Sequence, residues 1–239
     1  MPSANPAEPA ASGPPLFDRA AEYDAMLQRG LQLSGEGKRY FQLGRLQALT
    51  ATLPARFRPA RVLDFGCGLG DTAELLAETF PGATVVGTDT ALAALDHARR
   101  HHAAGGAIRF LPTSELAGQE PFDLVYLNGV LHHVPLDQRP EVAELLHRSL
   151  APGGCCALFE NHPFNPGTRL VMRRIPFDRD ARTLHAAQAR RLLRGAGFGA
   201  AMATRYLFVF PRFLRLLRPL EPYLARLPLG AQYLVLAQR

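Results

Sequence analysis

Cysteine is scarce in this chain, with only Cys67, Cys155 and Cys156 in 239 residues. Two of the three are adjacent, which is poor geometry for a structural disulfide, and no C-x-x-C pair exists for zinc. A disulfide scaffold is therefore excluded, and a reducing cytoplasm is the expected setting. Long hydrophobic runs are missing too, so no segment is expected to span a bilayer. The opening "MPSANPAEPAASGPP" lacks both a basic start and an apolar stretch. It reads as a disordered Pro/Ala-rich tail over residues 1–15, not a signal peptide. Lysine is nearly absent, since all but Lys38 of the 27 basic residues are arginine. No aromatic–basic interleaving and no recognised nucleic-acid module occurs, which argues against a nucleic-acid partner.

What is present is a globular composition, with 47% hydrophobic residues. That suffices for one full core over residues 16–239. Charge is uneven. Residues 1–160 carry 13 basic and 18 acidic groups, whereas residues 161–239 carry 14 arginines and three acids. The last third is thus a basic surface, suited to a phosphorylated substrate, an anionic membrane or a nucleic acid on charge alone.

Periodicity gives the elements. Residues 17–53 read as two helices broken at "SGEG". Then come the strand "ARVLDFG", the helix "DTAELLAETF", the strand "TVVGTD" and the helix "ALAALDHARRHHA". The strands "IRFLP" and "FDLVYLN", the helix "RPEVAELLHRSL" and a strand within "APGGCCALFE" follow. Beyond these lie a Pro/Asn loop, a helix over 181–198, a strand-like "YLFVF", a basic Leu/Arg segment and a last strand "AQYLVLA". Alternating strands and helices predict an α/β, doubly wound, Rossmann-like parallel sheet. Its ligand is expected beyond the carboxyl ends of the strands.

"VLDFGCGLGD" is the sharpest signal. Gly66, Gly68 and Gly70 make a turn that brings backbone against a ligand. The dinucleotide pattern G-x-G-x-x-G is not met, because Asp71 stands at its third glycine and would repel a pyrophosphate. Asp89 ends the second strand, 23 residues after Gly66, where an acid accepts hydrogen bonds from ribose hydroxyls. Asp64 adds an acid that could pair with a cationic amine. Ribose without pyrophosphate points to a nucleoside-type cofactor.

"VLDFGCGLG", "GTD", "FDLVYLNGVLHHV" and "LAPGGCCALFE" resemble, in order and spacing, the motifs of class I S-adenosylmethionine-dependent methyltransferases, over roughly residues 61–160. The resemblance implies a seven-stranded sheet with an antiparallel last strand, here "AQYLVLA". It implies S-adenosylmethionine as cofactor, with Asp64, Gly66 and Gly68 at the methionine part and Asp89 at the ribose. Cys67, Thr90 and Asn128 complete the implied cofactor set. Thr113 and Ser114 occupy the loop where the family usually has an acid near the adenine. The flanks look like a bacterial subgroup of methyltransferase type 11/12. "YDAMLQRGLQLSGEGKRYFQLGRL" resembles its N-terminal cap (16–55), and "ENHPFNPGTR", "IPFDRDA" and "PLGAQYLVLA" resemble its C-terminal part (161–239), with Asn161 and His162 transposed. Residues 56–160 form the cofactor-binding core of this scheme.

On the acceptor side, His132 and His133 follow the fourth strand. One reading is a catalytic base, with His133 the candidate. The other is packing and turn capping. His162 is a second candidate base, and Asn161, His162, Asn165 and Arg169 are candidate substrate contacts against a purely structural loop. His101 and His102 offer little for a metal, and none is expected. "PRFLRLLRPL" spaces Arg212, Arg215 and Arg218 by three, as a membrane-surface or lid segment or an ordinary surface helix. Tyr23, Tyr40 and Phe41 either close over the cofactor or pack. The expected function is methyl transfer to a small-molecule or lipid-linked acceptor. The alternatives are a non-catalytic cofactor-binding or interaction protein, and a nicotinamide-dependent oxidoreductase, against which Asp71 argues.

Overall fold

The computed structural model describes residues 30–31, 34–103, 106–175, 178 and 181–239. The expected tail and most of the first cap helix, with Tyr23, lie outside the described residues. Seven strands form one sheet in the order β3-β2-β1-β4-β5-β7-β6. They are β1 (Arg61–Phe65), β2 (Thr84–Asp89), β3 (Ile108–Pro112), β4 (Phe122–Asn128), β5 (Leu150–Asn161), β6 (Ala203–Leu207) and β7 (Gln232–Gln238). β1 pairs in parallel with both β2 and β4, so strand order reverses there. The loops leaving β1 and β4 diverge at that reversal and open a crevice. β7 runs antiparallel between β5 and β6, as the resemblance implied.

Side chains alternate along the strands, so each strand feeds two cores. Val62, Val85 and Leu124 pack under α1 (Lys38–Thr52), α2 (Asp71–Thr79) and α3 (Leu92–His102), through Leu49, Leu76 and Leu95. Leu63, Val86 and Val125 pack on the opposite face under α4 (Arg139–Ser149) and α6 (Ala186–Gly195), through Leu146 and Leu193. Both faces are covered, which is why β1, β2 and β4 read as nearly continuous apolar runs.

Three expectations shift. The helix expected over 181–198 starts only at Ala186, where Gln188 Oε1 reaches back to accept from His185 N at 3.0 Å. The Pro/Asn loop contains a short α5 (Pro166–Met172), which Asn165 caps by accepting from Thr168 N. The strand expected over 206–210 lies earlier and ends at Leu207, because Phe208 takes φ 63. That conformation turns the Phe208 ring onto α1, where a Cβ on Gly44 would sit 2.5 Å from it. The basic segment is a 3-10 helix (Arg212–Leu220) running into α7 (Glu221–Leu224).

Candidate active site

The glycine turn starts where β1 ends. Gly66 and Gly68 have φ 73 and 53, the left-handed region open to glycine. A Cβ on Gly66 would lie 2.5 Å from Val130 Cγ2, whereas one on Gly68 would meet open space. The turn spends its own donors. Gly66 N and Cys67 N donate to Thr88 O at 2.8 and 2.9 Å, and Gly68 N donates to Asp89 Oδ2 at 2.9 Å. Asp89 Oδ1 accepts from Ala91 N at 2.9 Å. An anion therefore finds these amides already committed, and the pyrophosphate reading fails here on geometry as well as on Asp71.

What remains are acceptors. Asp64 Oδ2, Thr88 Oγ1 and Asn128 Oδ1 are buried without a hydrogen-bond partner. Asp64 is 2% exposed. Burial, then the nearby Asp89 charge, pushes its carboxyl up to about 8, with Arg45 opposing. Unpaired buried acceptors are costly, so this turn suits a ligand rich in donors: a cationic amine at Asp64 and hydroxyls near Asp89. The residues thus fit S-adenosylmethionine. Exposed Thr90 follows Asp89, and Thr113 and Ser114 open the 3-10 helix Thr113–Gly118 beyond β3, at the same edge of the sheet. Cys67 turns its side chain toward Gly87, and burial holds its thiol well above the ordinary range.

α1 closes over this edge. Lys38 Nζ lies 2.8 Å from Asp71 at the start of α2. Burial works against Asp71's charge, but the Lys38 hydrogen bond and charge outweigh it and hold the carboxyl below its usual range. Buried Arg45 donates to Tyr126 Oη and Gln232 Oε1, both at 3.1 Å.

Beside the turn lies a cavity of about 500 Å³. Asn128 and Gly129 border it below, Asn161, Asn165 and Thr168 on the β5 side, and Tyr40, Phe41, Phe208 and Phe210 above. Asn161 Oδ1 accepts from Gln232 at 3.0 Å, and Asn165 Nδ2 donates to Leu229 O at 2.9 Å. Two expected substrate contacts are not in this wall. Arg169 points to solvent. His162 is buried, bonded through Nδ1 to Gly230 O at 3.0 Å and packed on Tyr206. Strand alternation explains it: Asn161 faces the cavity, so His162 turns to the other face with Tyr233. Arg212 donates to Gly35 O, and Arg218 pairs with Glu36 at 2.9 Å and lies over Tyr40, so two of the three stripe arginines face the body.

The same wall holds a cluster that sequence reading did not assemble. His132 Nδ1 lies 2.6 Å from Glu160 Oε2, whose other oxygen accepts from Leu131 N at 2.8 Å. His132 Nε2 and His133 Nε2 lie 3.6 and 3.5 Å from Asp178 Oδ1. Burial disfavours charge on His132, but Glu160 and the bonds to both carboxylates override it and raise the ring to about 10. Burial, then the His132 charge, lowers His133 to about 4. Glu160 opens "ENHPFNPGTR" at the end of the fifth strand, where the acceptor was expected, and Asp178 lies in "IPFDRDA", with no spacing that ties either to His132.

Comparison with known proteins agrees with the turn. A methyltransferase-domain family model matches residues 63–156. Trans-aconitate 2-methyltransferase of Methylobacterium nodulans is 38% identical over 117 residues, 49% of this chain and 44% of that protein. The chain thus spans under half the length of that relative. Demethylmenaquinone methyltransferase of Thermus thermophilus is 37% identical over 154 residues, 59% of this chain and 69% of that protein. The fold matches a solved S-adenosylmethionine-dependent methyltransferase from Archaeoglobus fulgidus, with TM-score 0.64 and 16% identity over 85% of this chain and 95% of that one. The chain belongs to the class I S-adenosylmethionine-dependent methyltransferase family.

Proposed function

We infer that this chain transfers a methyl group from S-adenosylmethionine to a small-molecule acceptor held in the cavity beside the glycine turn. One observation carries the reading: Asn128 borders the cavity while its buried Oδ1, like Asp64 Oδ2 and Thr88 Oγ1 at the ends of the neighbouring strands, has no hydrogen-bond partner. The cofactor supplies an electrophilic methyl when bound. The chain's part is to hold the amine at Asp64 and the ribose at Asp89, and to orient the acceptor across Asn128 and Gly129. The aromatic wall above, with α1 latched by Lys38, excludes water. An acceptor that arrives ionised or as a free amine needs no strong base.

The wall speaks to the acceptor's body. Tyr40, Phe41, Phe208 and Phe210 offer flat apolar surface. The wall cations are engaged: Lys38 with Asp71, Arg45 with Tyr126 and Gln232, Arg218 with Glu36. This favours a conjugated acceptor with an apolar face, such as a quinol. A tricarboxylate is the second reading, supported by the names of several relatives, which align over only about half of this chain. A reducing cytoplasm fits three buried free thiols. Among the described residues no helix is long and apolar enough to cross a membrane.

The test is calorimetric titration with S-adenosylhomocysteine, with NADH as paired control, followed by labelled-methyl transfer to trans-aconitate and to a short-chain naphthoquinol. Binding of the first ligand alone and transfer to the naphthoquinol are expected. NADH binding would return the oxidoreductase reading, and transfer to trans-aconitate alone would establish the tricarboxylate.

A further inference from the structure

We propose that His132, His133 and Asp178 bind a divalent transition-metal cation in the wall of the acceptor cavity. Both imidazole Nε2 atoms converge on one oxygen of Asp178, at 3.6 and 3.5 Å, and the three donors lie within 4.8 Å of one another. A tetrahedral zinc with bonds of about 2.0–2.1 Å sets its ligands about 3.4 Å apart, so small side-chain rotations close the set. The outer arrangement is in place as well. Glu160 takes His132 Nδ1 at 2.6 Å and is itself fixed by Leu131 N. A carboxylate on the far ring nitrogen is what orients a ligating histidine and leaves Nε2 for the metal. Two nitrogens and one oxygen suit zinc, iron, cobalt or manganese better than magnesium or calcium, which prefer oxygen donors throughout.

All three residues line the cavity, so the remaining coordination positions open toward the acceptor. There the cation would hold an acceptor oxygen and favour its ionised form. That role rests on the methyl-transfer reading, while the site itself does not. Among the described residues no other group of three such side chains converges. The rival arrangement is a closed ion cluster, Glu160–His132–Asp178, with no cation.

The full chain, stripped with chelator, would be titrated with Co²⁺ and with Zn²⁺, by calorimetry and by the visible bands of bound cobalt. One equivalent is expected. Asp178→Asn and His133→Gln should each weaken it at least tenfold, Glu160→Gln about 10- to 100-fold, and His101→Ala not at all. Because Asp178 is buried and its variant could unfold, X-ray absorption of the zinc-loaded wild-type protein gives a second reading, expected to show two imidazoles and otherwise oxygen. Failure of folded wild-type protein to bind one equivalent, or binding indifferent to both Asp178 and His133, would overturn the site. Titration of the same samples with S-adenosylhomocysteine separates this outcome from failure of the methyltransferase reading.

Discussion

Asp64 carries a cost that a ligand relieves. In the folded chain it keeps its proton up to about pH 8, against 3.8 for an ordinary aspartate. Between those values the folded state holds a proton that the unfolded state has lost, so stability falls as pH rises through that window. A bound cationic amine reverses the preference, because it needs the ionised carboxylate, and binding then expels the proton. S-adenosylhomocysteine affinity should therefore rise about tenfold per pH unit below 8 and flatten above it. Calorimetry in buffers of different ionisation heat measures the released proton, and Asp64→Asn should abolish both the slope and the release. Asp89 has a double duty. Its two oxygens already hold Gly68 N and Ala91 N. Asp89→Ala should cost about 1–3 kcal/mol of stability through those stranded amides, and at least tenfold in S-adenosylhomocysteine affinity. Unchanged affinity would remove Asp89 from the cofactor site.

Elements were legible where packing and local pattern agree. "TVVGTD", "IRFLP" and "FDLVYLN" are β2, β3 and β4 residue for residue, because each is a buried run closed by turn residues. β6 was misplaced for the opposite reason. "YLFVF" has strand composition, yet the Phe208 ring must reach Phe41 at 4.9 Å and lie against Gly44, and a strand would not aim it there. Gly44 is a helix-interior glycine kept for that contact. Gly44→Val should lose about 1–3 kcal/mol by overpacking, despite its better helix propensity, as read by chemical denaturation. The same variant should impair acceptor transfer more than cofactor binding, since Phe208 lines only the cavity.

Across the molecule, the two halves of the site differ in how they are written. The residues expected at the cofactor, Asp64, Gly66, Gly68 and Asp89, lie on one turn and the tip of the next strand, so a local pattern and the family resemblance together sufficed to name them. The cavity proposed for the acceptor gathers α1, the ends of β4 and β5, α5, Asp178 and the segment around Phe208. His132 and Glu160 are 28 residues apart and meet only because β4 and β5 are neighbours in the sheet. Side-chain parity, which sent His162 inward, also depends on the β5–β7 register, Asn161 facing Gln232.

That register has a bearing on how the chain assembles. Among the described residues β6 bonds to β7 and to no other strand, and β7 is reached only after the long excursion past Phe208. β6 precedes its partner in chain order and has nowhere to dock until residues 232–238 are available. The glycine turn asks for no such wait, since β1, β2 and β4 are already joined to one another. The edge strand beside the cavity thus hangs on the seventh strand alone, whereas the glycine turn rests on three strands that grip one another directly.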